Sequence, residues 1–185
     1  MVQIASKSQL RMSLLRVALF TIPATILLGT LSGLLSNSGY DNGWFRSLEL
    51  PSFMPPGWAF PVAWTFLYFC LGLALALLIH ARGAPRRGLV ISLFLVQLLI
   101  NYSWSPVFFG LHQVEIGLAL IAVMILLTLV LLPLVGGIRG YAAALMLPYL
   151  AWLCFAFALN YQVMALNPNG SEVAPVSSSA DIPIE

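Results

Sequence analysis

The chain has 185 residues, of which 61% are hydrophobic and 8% charged, against roughly 25% charged in an ordinary soluble domain. This composition excludes a soluble globular protein, and a scattered net charge of +2 excludes a nucleic-acid footprint.

Five stretches hold no Asp, Glu, Lys or Arg: Val17–Tyr40, Leu50–Ala81, Gly88–Val114, Ile116–Ile138 and Gly140–Ser171. The shortest, Ile116–Ile138, has 23 residues, and a membrane-spanning helix needs about 20. The expected architecture is therefore an all-α integral membrane protein, a bundle of five transmembrane helices. β-branched and aromatic residues are common in these runs, but the runs do not alternate and are far longer than the roughly 9 to 11 residues of a barrel strand.

In chain order, residues 1–13 read as a basic N-terminal segment and 14–166 as the membrane domain. Lys7, Arg11 and Arg16 ahead of an apolar run look like the start of a signal peptide. That run continues to Leu35, beyond the about 7 to 15 residues of an apolar signal core, so a retained first span over Leu14–Leu35 is expected. A polar loop over Ser36–Pro56 returns the chain to the membrane. The later spans are predicted at Gly57–His80, Gly88–Phe109, Val114–Leu134 and Tyr141–Leu166. Residues 167–185, rich in serine and proline, are expected to form a disordered tail.

Basic residues set the expected orientation. Lys7, Arg11, Arg16, Arg82, Arg86, Arg87 and Arg139 fall on the side of the N-terminus, and only Arg46 falls on the other. The positive-inside rule then puts the N-terminus inside and the C-terminus outside. A bacterial membrane is expected, with inner and outer both open. Each span also carries a proline: Pro23, Pro61, Pro106, Pro133 and Pro148.

No span carries a central carboxylate, Lys or Arg, which argues against an ion-coupled transporter. P-loop, His-Glu-x-x-His, Gly-x-Ser-x-Gly and Cys-x-x-Cys patterns are absent from the sequence, and no required cofactor or metal site is expected. Cys70 and Cys154 both lie inside spans, so no disulfide framework is expected. His80 and His112 read as interfacial histidines.

The aromatic residues say more. Trp44 and Trp58 fit an interfacial belt. Trp64 lies about 10 Å and Trp152 about 16 Å along their helices, too deep for a belt. Helical spacing groups Pro61, Trp64 and Tyr68; Gln97, Asn101, Trp104 or Ser105, and Phe108; and Tyr149, Trp152, Ala156 and Asn160. Asn101 reaches about the depth of Trp64, roughly 10 Å below the outer surface of the core. Two readings of these stripes are open. One is a packed bundle in which Asn101 and Asn160 hydrogen-bond between helices; the other is an apolar pocket with a few polar anchors for a flat hydrophobic ligand. Gly29 and Gly33, a Gly-x-x-x-Gly pair in the first span, fit either close packing within the bundle or a homodimer contact.

Three segments carry a resemblance to a known family: PSFMPPGWAFPVAWTFLY at Pro51–Tyr68, NYSWSPVFFGLHQ at Asn101–Gln113 and PYLAWLCFAFALNY at Pro148–Tyr161. Together they resemble the TspO/translocator proteins, also called tryptophan-rich sensory proteins or peripheral-type benzodiazepine receptors, and the likeness covers about Leu14 to Leu166. The resemblance implies a five-helix bundle that binds tetrapyrroles such as protoporphyrin IX and haem, and benzodiazepine-type drugs. By position it implies that Trp64 and Trp152 flank the ligand pocket and are linked to light-dependent porphyrin breakdown. Tyr68, Asn101, Trp104, Phe108 and Ala156 match further pocket positions, and Trp44 and Phe45 match aromatics of a loop closing the cavity mouth. A membrane receptor or sensor for porphyrins is the function it implies, with tetrapyrrole transport or photochemical porphyrin degradation at Trp64 and Trp152 as alternatives. Two features depart from the family. Glu49 and Leu50 stand before Pro51 where a basic residue is common, and no Lys or Arg follows Tyr161 as the sterol motif of mitochondrial members requires.

Overall fold

A computed structural model describes residues 6–173. It contains α1 (Lys7–Leu35), the short α2 (Gly43–Arg46), α3 (Ala59–His80), α4 (Arg87–Ser105), α5 (Val114–Gly136) and α6 (Gly140–Leu166). A π-helical turn, Pro106–Gly110, continues α4, and a 3₁₀ turn covers Gly170–Glu172. α1, α3, α4 extended by its π turn, α5 and α6 are each long and apolar enough to cross a membrane. The chain is a multi-pass integral membrane protein, and its spans neighbour one another in the ring order α1, α3, α6, α5, α4.

Local chemistry sets the helix ends. Ser6 and Gln9 form a capping box, Gln9 N–H donating to Ser6 Oγ (3.3 Å) and Ser6 N–H to Gln9 Oε1 (2.8 Å). This start corrects the expected boundary: from Lys7 onward the basic segment is helix. At 29 residues α1 is about 43 Å long, more than the roughly 30 Å hydrocarbon core, so its first turns carry the exposed Arg11 and Arg16 into the headgroup region. At the C-terminal end of α3, the Arg87 guanidinium donates to the Leu78 and Ile79 carbonyls (2.9 and 2.6 Å), supplying partners that the helix end lacks.

α1 and α3 approach closely at Gly72, where an added Cβ would lie 2.7 Å from Ile22 Cα. Across that contact Thr21 Oγ1 donates to the Gly72 carbonyl (2.8 Å) and Thr25 Oγ1 to the Tyr68 carbonyl (2.9 Å). Small residues with hydroxyl bonds are how helices associate when lipid removes the hydrophobic drive between them. Prolines follow the same logic. Pro106 has no N–H for the Tyr102 carbonyl, and Ser32 of α1 donates its hydroxyl to that oxygen instead. Pro61 lies in the first turn of α3, where N–H groups have no helical partner anyway, so it starts the helix rather than kinking it.

The core has two tiers. Leu71, Leu78, Phe94, Leu131 and Met146, all 1% exposed or less, fill the half of the bundle nearer the α3–α4 loop. At the opposite end Trp44, Phe45, Leu48, Phe108, Phe109, Val114 and Val163 form a second cluster under the first loop.

The expectation of a disordered tail from residue 167 fails over its first seven residues. Asn167 pairs with the backbone of Glu49, Glu49 N–H donating to its Oδ1 and its Nδ2 to the Glu49 carbonyl, both at 2.9 Å. Trp44 Nε1 donates to the Gly170 carbonyl (2.8 Å), and Val173 packs on the cluster under the first loop. Composition suggested disorder, but a single amide side chain and one indole tie this segment to the loop. The remainder of the expected tail, 174–185, and residues 1–5 lie outside the described residues.

Candidate functional site

A cavity of about 590 Å³ lies between the two core tiers, in the half of the bundle beneath the loop that carries α2. That volume falls in the range of roughly 300 to 1,000 Å³ typical of small-molecule sites.

α3 supplies the first wall with Phe60, Pro61, Trp64 and Tyr68 on one stripe. Trp64 stacks on Tyr68 (centroids 5.2 Å apart, 27° between planes) and meets Trp152 of α6 edge to face (6.2 Å, 78°). Phe60 supports Trp152 from the other side at 6.1 Å. The second wall is the C-terminal end of α4 and its π turn. The wider π turn brings Phe108 under Trp104 as a stack at 4.9 Å and 13°, and Ser105 lines the cavity beside them. Trp104 Nε1 donates to the Gly117 carbonyl of α5 (3.1 Å). A side chain at Gly117 would crowd Phe108 and Asn160, its Cβ falling 3.1 Å from each. Trp152, Ala156 and Asn160 of α6 complete the ring. In the amide orientation that satisfies both its polar groups, Asn160 donates to the Val114 carbonyl (3.1 Å) and accepts from Leu118 N–H (3.2 Å), bracing α6 on the first turn of α5.

The floor is a buried hydrogen-bond network. Tyr68 Oη donates to Asn101 Oδ1 (2.8 Å), and Asn101 Nδ2 and Gln97 Nε2 donate to Tyr149 Oη (3.2 and 2.9 Å). Gln97 Nε2 also faces Thr128 Oγ1 at 3.0 Å. Tyr149 therefore does not line the cavity as its place on the Trp152 stripe suggested: it is fully buried one turn deeper and holds Asn101 from below. Trp44 is displaced likewise. It is 1% exposed and lies behind the lid, stacked on His112 (4.5 Å, 13°) and edge-on to Phe108 (5.4 Å). Its neighbour Phe45 does reach the cavity, with Tyr40 edge-on to it at 5.6 Å. The other expected lining residues, Pro61, Trp64, Tyr68, Asn101, Trp104, Ser105, Phe108, Trp152, Ala156 and Asn160, all border the cavity.

Sequence reasoning missed the contribution of α1. Gly29, Ser32 and Gly33 line the cavity, and a Cβ on Gly29 would lie 2.1 Å from the Tyr68 ring. The Gly-x-x-x-Gly pair thus serves an interior contact, the signal being present but readable two ways. The lid is also set by chemistry. Asn42 caps α2, Phe45 N–H donating to its Oδ1 (3.0 Å), and Tyr40 Oη donates to the Pro55 carbonyl (2.8 Å). Burial pushes the Tyr40 phenol pKa up, so it stays neutral.

Because Asn167 and the Trp44–Gly170 bond tether the lid, Asn167→Ala in a Trp44→Phe background should loosen it. Hydrogen exchange is expected to run about tenfold faster at residues 43–49 and to stay unchanged in the C-terminal half of α3 and the N-terminal half of α6. Unchanged exchange at 43–49 would show that the loop holds itself.

Chemically, this interior stacks and hydrogen-bonds but offers little acid–base function. Among the described residues, apart from tyrosines, the one ionisable side chain bordering it is Asp41. No group of His, Cys, Asp and Glu among the described residues is placed to hold a metal ion.

The chain matches the model of the TspO/MBR family over residues 21–166. It is 36% identical over 129 residues to the tryptophan-rich sensory protein of Cereibacter sphaeroides, covering 70% of this chain and 80% of that protein. It is 38% identical over 125 residues to the tryptophan-rich protein TspO of Archaeoglobus fulgidus, covering 67% and 80%. With the translocator protein of Sus scrofa it shares 34% identity over 153 residues, covering 74% and 84%. Five spans around an aromatic cavity, matched along most of their length by these relatives, make this chain a member of the TspO/MBR family.

Proposed function

We propose that the protein is a membrane receptor or sensor that takes a flat tetrapyrrole of the protoporphyrin IX or haem type, or a benzodiazepine-type molecule, into this cavity, presenting it to other proteins or moving it. The N-terminus lies on the inner side, so the cavity opens toward the outer face under the loop that carries α2. The observation that carries the reading is the cavity itself, about 590 Å³ bordered by Trp64, Trp104 and Trp152. Burial of a macrocycle against these rings is worth about 25 cal/mol per Å² of apolar surface, and stacking adds roughly 0.5 to 1.5 kcal/mol per ring pair.

Titration of the purified protein with protoporphyrin IX should quench tryptophan fluorescence saturably. The Trp64→Ala, Trp152→Ala double variant should bind at least tenfold more weakly, since two stacking partners at about 1 kcal/mol each are lost. Unchanged affinity would move the site elsewhere.

A second reading, light-driven oxidation of the bound porphyrin with dissolved dioxygen as the electron acceptor, is favoured by the contiguous row Trp152, Trp64 and Tyr68 on one wall. Illumination separates the two: a receptor leaves the bound porphyrin no more bleached than free porphyrin.

A further inference from the structure

We infer that the end of the bundle opposite the cavity binds an anionic phospholipid, its headgroup phosphate held by Arg11 and Arg82 at the seam between α1 and α3. This surface is separate from the cavity, and the inference does not rest on the ligand read there.

Charge is divided between the two ends of the bundle. The start of α1, the α3–α4 loop and the α5–α6 loop share one end, and they carry Arg11, Arg16, Arg82, Arg86, Arg87 and Arg139. The described acidic residues, Asp41, Glu49, Glu115 and Glu172, all fall at the other end, in the first loop, at the start of α5 or beyond α6. Among the described residues, then, no carboxylate neutralises the basic end.

Helix packing gathers part of that charge. Thr21 bonds to Gly72, and Thr25, four residues on, bonds to Tyr68, four residues back, so α1 and α3 run past each other in antiparallel step. Ten residues back from Thr21 is Arg11, and ten residues on from Gly72 is Arg82, which puts both about 15 Å from that contact, at headgroup level. Steps of three and four from Thr21 pass through Ala18 and Leu14 to Arg11, so Arg11 lies on the stripe of α1 that meets α3. Arg16 is off that stripe, on the far side of α1, and Arg139 belongs to the α5–α6 loop across the ring. Arg87 is engaged by the Leu78 and Ile79 carbonyls, whereas Arg11 and Arg82 are exposed. Each offers a planar fork of N–H donors that matches phosphate oxygens. Leu15, one turn below Arg11, is 55% exposed, and Leu89 of α4 is 56% exposed. An anion held at the seam therefore stands directly above apolar surface that acyl chains cover, which selects a lipid over a soluble phosphate.

The test is native mass spectrometry of the protein released from micelles holding phosphatidylglycerol and phosphatidylcholine of identical chains in equal amounts. Wild type should retain phosphatidylglycerol at least tenfold over phosphatidylcholine, since each arginine near the surface favours an anionic lipid by about fivefold. The Arg11→Gln, Arg82→Gln pair should bring the two lipids within about twofold of each other. The Arg16→Gln, Arg139→Gln pair removes the same charge from the same end and should keep the preference within about threefold of wild type. Soluble glycerol 3-phosphate should not displace the bound lipid. Equal retention of both lipids by wild type overturns the inference whatever the variants do. So does a preference that survives loss of Arg11 and Arg82, or one that falls equally in both pairs, which would mark a diffuse field rather than a site. Displacement by glycerol 3-phosphate would overturn the lipid as occupant.

Discussion

Replacing Gly29 with leucine is expected to abolish binding of any flat ligand while the five spans still insert. Even the first carbon of a side chain at this position would lie 2.1 Å from Tyr68 Cε2, so the Tyr68 ring has to move. It has little freedom to do so: Trp64 stacks on one face, Tyr102 stands 5.8 Å away on another side, and Asn101 holds the hydroxyl at 2.8 Å. The displaced ring swings into the cavity, and the leucine fills what space remains. Affinity for protoporphyrin IX should fall more than a hundredfold in Gly29→Leu and about tenfold in Gly29→Ala. Overpacking in a close-packed helix contact costs about 1 to 3 kcal/mol, enough to lower Tm measurably without unfolding the bundle. Size-exclusion chromatography of the same variants separates two roles for the glycine. An interior contact predicts an unchanged oligomeric state with lost binding; unchanged binding with an altered oligomeric state would assign Gly29 to an interface between copies.

The fold was legible in the sequence because the bilayer imposes one rule on every span: charges lie outside it and every backbone group is satisfied within it. Charge-free runs therefore marked the five helices. The ends were less legible, since a helix does not stop where hydrocarbon stops. Ser6 and Gln9 begin α1 well before its apolar run, and Pro106 converts the end of α4 into a π turn. At the site, helical spacing found the right faces of α3, α4 and α6, because side chains three or four residues apart share a stripe. Spacing does not say which tier of a stripe meets open space. Tyr149 and Trp152 are on one stripe, yet the first is buried beneath the floor and the second borders the cavity. Trp44 was misplaced for a related reason: an aromatic in a loop is drawn wherever a partner exists, and its partners were His112 and the Gly170 carbonyl, the latter 126 residues away. Gly29 was hard to assign because a glycine contributes by the side chain it lacks, and that shows only when Tyr68 stands opposite.

Asn101→Leu should produce a marked loss of stability, because that amide joins two tyrosines across three helices. Leucine has nearly the shape of asparagine, so the change isolates hydrogen bonding from packing. It removes the acceptor for Tyr68 Oη and one donor to Tyr149 Oη. Tyr149 keeps Gln97 as a donor, at 2.9 Å, but Tyr68 is left with an unpaired hydroxyl at the base of the cavity. An unsatisfied buried group costs about 1 to 3 kcal/mol in water-soluble proteins, and interhelical bonds in membranes average closer to 0.6 kcal/mol each, so a loss of about 2 kcal/mol is expected. For a chain of this length that corresponds to a fall in Tm of roughly 4 to 8 °C. Tyr149→Phe should cost a similar amount, by removing the hydroxyl that both amides address. The double variant should then cost clearly less than the sum of the two, because the Asn101–Tyr149 bond is lost only once. Strict additivity in thermal melts would mean that Asn101 and Tyr149 act independently, and that the floor of the cavity is held by packing against Met124 and Leu153 rather than by this network.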